Sequence, residues 1–131
     1  MHRLYAIIVK RCKIVSNILS SAEYICSCGK THKIKTKIVS GKNAIAEVAT
    51  HIKEVFLSGN IAVCSAKSVE SVGETVQKSL YKNGYTVRAV CIDNDMNFDI
   101  DNTEQILKIP ECVRFLVGVG SGSVADIVRY A

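Results

Sequence analysis

The sequence predicts a three-layer α/β fold, a mostly parallel sheet with helices on both faces, preceded by a short N-terminal strand or hairpin region. Three observations carry this. Short apolar runs alternate with stretches of helical period from about residue 32 to the end of the chain. One of those runs, Ile61 to Cys64, is continuously apolar, the pattern of a strand buried on both faces of a parallel sheet. The last run, Phe115 to Val119, enters a glycine-serine turn and leaves as a helical pattern that reaches Arg129.

Taken in order, residues 1–22 have no clear period and read as a leader, and residues 23–131 read as one domain. A strand from His32 to Val39 leads through Gly41 into a helix from about Asn43 to Leu57, because Ile45, Val48, Ile52, Val55 and Phe56 recur at helical spacing. Ser58-Gly59-Asn60 ends that helix. After the strand at Ile61 to Cys64, Ser68 is the candidate N-cap of a helix that places Val69, Val72, Val76 and Leu80 on one face. Asn83-Gly84 closes it, and Tyr85 to Ile92 is the next strand. Asp93 to Asp101 forms an acidic loop, after which Asp101-x-x-Glu104 is a capping box for a short helix stopped by Pro110. Val113 to Val119 is the last strand, and the closing helix follows the turn. Repeated β-α steps of this kind make a Rossmann-like sheet, with ligands expected at the C-terminal ends of the strands.

A chain of 131 residues, 48% of them hydrophobic, is long enough to bury a core of its own. The apolar run Leu4 to Val9 is broken by Lys10, Arg11 and Lys13, too short for a signal-peptide core or a membrane span. A cytoplasmic location and no membrane partner are therefore expected. Six cysteines without a secretory signal read as reduced thiols, with Cys64 and Cys91 as small core residues inside strand patterns. The charge is lopsided, net +8 over residues 1–42 and −3 over residues 43–131. Lys33, Lys35 and Lys37 alternate with Ile34, Thr36 and Ile38, as a solvated strand face does, and no aromatic residues interleave them to stack on bases. Nucleic acid is accordingly disfavoured as a partner.

The turn carries the chemistry. Glycines at 120 and 122 let the backbone approach a ligand closely, and the first N–H groups of the next helix, at the positive end of its dipole, favour an anion such as a diphosphate. Ser121 and Ser123 add hydroxyl donors, and either can cap the helix. A tight strand-to-helix turn that holds no ligand has the same local sequence, and Gly118-x-Gly120-x-Gly122 departs from the G-x-G-x-x-G fingerprint. Cys26-x-Cys28 and His32 supply three potential metal ligands, but a closed zinc site wants four ligands and wider Cys spacing. They read as a turn in an N-terminal hairpin.

Gly120-Ser-Gly-Ser-x-x-Asp126-x-x-Arg129 resembles the G-G-G-S-x-x-D-x-x-K run of the iron-containing alcohol dehydrogenase and dehydroquinate synthase superfamily, closest to the G-S-G-T-x-x-D-x-x-K form of the sn-glycerol-1-phosphate dehydrogenases. Cys26-Ser-Cys28-Gly29-Lys-Thr-His32 resembles the C-x-C-G-x-x-H segment of the bacterial members of that narrower branch. The resemblance covers about residues 24–131 and the first of the family's two domains. It implies an NAD- or NADP-dependent oxidoreductase that interconverts dihydroxyacetone phosphate and glycerol phosphate, with this chain as its cofactor-binding domain, inactive alone and weak in cofactor affinity. Diphosphate contacts fall on Gly120, Ser121, Gly122 and Ser123, with Asp126 at the family aspartate and Arg129 in place of its lysine. The catalytic metal would be held by the second, helical domain, so no catalytic or metal-binding residue is assigned here.

The family's D-x-N-T after the second strand aligns with Ser65, Lys67 and Ser68. A neutral Ser65 beside a cationic Lys67 removes the acid that would repel a ribose 2′-phosphate, which either shifts the expected preference toward NADP, the favoured reading, or marks a weakened cofactor site. Two other readings remain open, a dehydroquinate synthase-like lyase domain and a noncatalytic module that binds a nucleotide or a partner. Self-association is expected through an apolar face near Ile127, Val128 and Tyr130, left bare where the second domain would pack.

Overall fold

The computed structural model of the chain describes residues 7–8, 23–25, 27–33, 39, 41–93, 103–104 and 108–131. It divides into two units, Met1–Lys10 with Ile45–Ala131, and Arg11–Ala44. In the smaller unit, β2 (Glu23–Ile25) and β3 (Thr31–Lys33) form an antiparallel hairpin in which Tyr24 opposes His32. Gly29 turns the hairpin with φ +77°. The expected hairpin around the Cys-x-Cys segment is therefore present. Cys26 and residues 34–38, and with them the predicted continuation of the strand and the Lys35 and Lys37 alternation, lie outside the described residues.

The larger unit is the predicted layered α/β fold. Its sheet has the order β1 (Ile7–Ile8), β6 (Val113–Val119), β4 (Asn60–Ala66), β5 (Thr86–Ile92), every neighbouring pair parallel. The leader thus contributes an edge strand that its sequence pattern did not reveal. One face carries α1 (Val48–Lys53) and α2 (Glu70–Lys82), whose Ile52, Val76 and Leu80 pack with Ile61, Val63, Phe115, Val117 and Val119. The other carries α3 (Gly122–Tyr130), whose Val124, Ile127 and Val128 pack with Ala62, Cys64, Ala66 and Ile92. Strand β4 alternates between the two clusters, which explains its unbroken apolar run. Burying each such large side chain contributes roughly 1.5–3 kcal/mol.

Local sequence explains where the helices stop. Asn83 caps α2, Gly84 takes φ +88°, and the N–H groups of Gly84 and Tyr85 donate to the carbonyls of Tyr81 and Leu80. That pair of bonds is the Schellman arrangement, which satisfies carbonyls the helix would leave open. Tyr85 then turns inward, its hydroxyl donates to the Phe56 carbonyl, and Phe56 stacks between Tyr85 and Phe115 with ring centroids 6.0 and 5.3 Å away. These rings close the bottom of the first core.

Several expectations are corrected. The first helix is shorter than its periodicity suggested, because residues 42–47 form turns and the Glu47 side chain at the N-cap makes no capping hydrogen bond. Turns that repeat every three residues preserve the i, i+3 spacing, so Ile45 still packs on the core while the backbone is not α-helical. Beyond Lys53 the period is lost, and Val55 is 55% exposed. Ser68 is not the N-cap of α2; it lies in a 3₁₀ turn, Lys67–Val69, and Val69 occupies the cap without a side-chain bond. Cys91 is exposed rather than core, because β5 pairs only with β4 among the described strands and is an edge. Ile127 and Val128 are buried against the sheet, so they supply none of the bare apolar face expected of them. Residues 94–102 and 105–107, which hold most of the acidic loop, the start of the capping box and most of the short helix, lie outside the described residues; Thr103 and Glu104 are helical.

Three outcomes are expected of the core and its cysteines. A Cβ at Gly73 would lie 2.7 Å from both Cβ and Oγ of Ser65. Gly73→Ala should therefore cost about 1–3 kcal/mol of stability by overpacking, read as a lower urea midpoint at unchanged m. Burial pushes the Cys64 thiol from 9.0 up to about 12. A raised folded-state value means stability that is full below pH 9 and is lost as pH climbs through 12, so Cys64→Ala should flatten alkaline unfolding in that window. Thiol reagents at neutral pH should label Cys91 and Cys112 quickly and Cys64 only on unfolding.

Candidate functional site

Strand β4 is paired with β5 on one side and β6 on the other. The chain leaves β4 through α2 to reach β5 and later returns to the opposite side of β4 as β6, so the connections diverge between β4 and β6. In open parallel sheets a ligand sits in the crevice at that divergence, outside the strands' C-terminal ends. Here those ends are Ala66-Lys67-Ser68 after β4 and Gly120 to Ser123 after β6. Ser65 is paired with Val119, which sets the two exits side by side.

The three glycines of the turn have different structural reasons. A Cβ at Gly118 would lie 3.3 Å from Val128 Cγ2 and 3.5 Å from Val124 Cγ1, so its absence lets α3 pack close on β6. Gly120 has φ +156°, and a Cβ there would stand 2.7 Å from Val124 Cγ2 and 3.3 Å from the Cβ of Ala66. It must be glycine for the chain to turn from β6 into α3 beside Ala66 of β4. At Gly122, the first residue of α3, a Cβ would meet no described atom within 4 Å. Packing among the described residues does not explain that glycine, and its lack of a side chain leaves the backbone N–H groups there open to approach.

Ser121 is the N-cap of α3, with extended backbone at φ −82°, ψ −176° and no side-chain bond to the helix. Its carbonyl accepts from the Ala125 N–H, while the N–H groups of Gly122, Ser123 and Val124 gain no acceptor from the capping side chain. The donors of the first turn therefore face the crevice end of a nine-residue helix. Ser121 and Gly122 are exposed and Ser123 half-buried.

The other predicted residues divide. Lys67 and Ser68 lie exposed at the same edge of the sheet. Ser65 is 4% exposed, its hydroxyl set against the backbone of α2 at Gly73. Asp126 lies in the second turn of α3 rather than at its start, exposed, with Oδ1 3.9 Å from Nη1 of Arg129. It does not complement the helix dipole from the first turn. Sequence reasoning missed Asp93, the residue after β5, whose Oδ1 is 3.9 Å from Lys67 Nζ. The available signal was its place directly after a strand; its register with the exit of β4 comes only from the pairing. Among the described residues no three His, Cys, Asp or Glu side chains converge as a metal site. Nor is any described helix long and apolar enough to cross a membrane.

The family model described as iron-containing alcohol dehydrogenase matches residues 39–131. No curated protein matches the chain. The matched stretch includes the whole crevice and begins after the Cys26 to His32 block.

The geometry separates fold from binding at two neighbouring positions. Gly120→Ala should lower stability by about 1–3 kcal/mol, because Val124 cannot yield without disturbing the core. Gly122→Ala should leave the thermal midpoint unchanged or slightly raised, since alanine is the better helix former, while weakening anion binding at the turn. Equal losses of stability for the two variants would contradict the open space at residue 122.

Proposed function

We propose that this chain, which belongs to the iron-containing alcohol dehydrogenase family, is a nicotinamide dinucleotide-binding domain that holds the cofactor's diphosphate at Gly120 to Ser123. The observation that supports this most directly is the unfilled space at Gly122, at the mouth of a helix whose first N–H groups lack a side-chain cap. Backbone donors and the helix dipole suit two adjacent phosphates, and the hydroxyls of Ser121 and Ser123 add further donors. Gly120 holds the turn in shape, and Ala66 leaves room beside it.

When bound, the nicotinamide ring supplies the hydride chemistry of an alcohol and carbonyl interconversion. The chain's own residues bind and orient: the turn fixes the diphosphate, and the exits of β4 and β5 receive the adenosine half. The family name implies a metal ion as well. The described side chains do not provide a ligand set for one, so none is assigned to it and no step is derived through it.

The substrate reading is sn-glycerol 1-phosphate, or dihydroxyacetone phosphate in the reverse direction. It rests on the resemblance of the Cys26-x-Cys28-Gly29 and His32 block and of the Gly-Ser-Gly-Ser turn to the glycerol-1-phosphate dehydrogenases, and it is narrower than the family match.

Millimolar NADH or NADPH should shift the backbone amide resonances of residues 118–126 in an NMR titration. Unmoved amides with both cofactors overturn the cofactor reading. For the substrate, NAD(P)H absorbance is followed with the protein after addition of dihydroxyacetone phosphate. Oxidation with other carbonyl compounds but not with this one would remove the glycerol phosphate assignment and leave the cofactor assignment standing.

A further inference from the structure

We infer that Asp93, at the exit of β5, is the acid that reads the adenosine ribose, so that this chain selects NAD over NADP; the inference rests on the cofactor reading above. The position that carries an acid in the resembled family holds Ser65 here, near the C-terminal end of β4, an uncharged residue 4% exposed and set against α2. An acid is nevertheless present one strand further out. Strands β4 and β5 run parallel with Ser65 paired to Cys91 and Ala66 to Ile92, so the residues that follow, Lys67 and Asp93, leave the sheet at the same level. Their side chains meet at 3.9 Å.

Three features suit this pair to a ribose. It lies along the line of the ligand: from the Gly120 turn on β6, over β4, to β5 is two strand spacings, about 10 Å, in the direction in which an adenosine half leaves a diphosphate held at the turn. Both side chains are largely exposed, 60% for Lys67 and 81% for Asp93, so a ligand can reach them. And a solvated pair at this distance holds weakly, so a hydroxyl can enter without breaking a strong bond.

The signs then decide the preference. A ribose hydroxyl can donate to the Asp93 carboxylate in a charge-assisted hydrogen bond. A 2′-phosphate at the same place meets that carboxylate as a like charge, and the described cation beside it, Lys67, is already shared with Asp93. The expectation drawn from Ser65 and Lys67 alone is thereby reversed.

The test is a titration of the whole chain with NADH and with NADPH, read by calorimetry and by the amides of residues 118–126, for the unmodified protein, Asp93→Asn, and Asp93→Asn with Lys67→Gln. The unmodified chain should bind NADH more tightly. Asp93→Asn should weaken NADH about tenfold, the worth of one hydrogen bond to a charged group, and tighten NADPH by releasing Lys67. Adding Lys67→Gln should remove that gain. An unchanged NADH to NADPH ratio in Asp93→Asn, with the turn amides still shifting, overturns the role of Asp93 and leaves the cofactor reading intact. Turn amides that move with neither cofactor overturn both.

Discussion

The pairing of β4 with β6 is the constraint on which the rest depends. Its register runs from Ile61 opposite Phe115 to Ser65 opposite Val119, after an irregularity between Asn60 and Ile61 that absorbs one extra residue on β6. Had the strands run on without it, every side chain of β6 would face the other layer, because strand faces alternate residue by residue. With it, Phe115, Val117 and Val119 meet α1 and α2, and Gly118 meets α3. The same register brings both strands to their C-terminal ends together. Ala66 and Gly120 are thereby placed close enough that a methyl group on the second would stand 3.3 Å from the first. Core and crevice are consequences of one alignment.

The glycine spacing becomes intelligible in that light. Dinucleotide turns of the usual spacing assign one glycine to the tight turn, one to close backbone approach and one to helix-strand packing. Glycines stand at three positions here in a different order: Gly118 answers the packing, Gly120 the turn, and Gly122 leaves the backbone open to approach. What matters physically is where α3 lies against β6 and where its first N–H groups point. A different spacing is compatible with the same use because the packing contact comes from inside the strand, where Val124 and Val128 straddle Gly118, instead of from inside the helix.

Features set by short stretches of chain were legible in the sequence. The continuous run of β4, the Asn83-Gly84 stop, the strand, turn and helix over residues 113–130, and the hairpin at Cys28 each follow from local residues. What escaped depends on topology. Nothing within Tyr85 to Ile92 says that β5 is an edge, and an apolar run with Cys91 in it reads as core until the strand order is known. Ile7 and Ile8 make a strand only because β6 offers its other side. Ile127 and Val128 were expected on a bare face, yet a helix that packs around Gly118 must turn those residues onto the sheet. Asp93 was absorbed into an acidic loop for the same reason: its partner lies 26 residues earlier in the chain.

The crevice divides its work between two kinds of electrostatics. At the turn the positive potential comes from backbone N–H groups, fixed by the helix and by a glycine that cannot be replaced without moving Val124. Such donors need no reorganisation when an anion arrives, and desolvation strengthens them. At the exits of β4 and β5 the charges sit on exposed side chains, Lys67 and Asp93, which water and salt screen and which can rotate. In the proposed cofactor reading, the first arrangement supplies a general affinity for phosphates and little discrimination between dinucleotides, and the second contributes little affinity but responds to a single added phosphate on the ribose. On that proposal binding and selection rest on separate elements, so cofactor preference should be alterable at residues 67 and 93 without disturbing the alignment of β4 with β6.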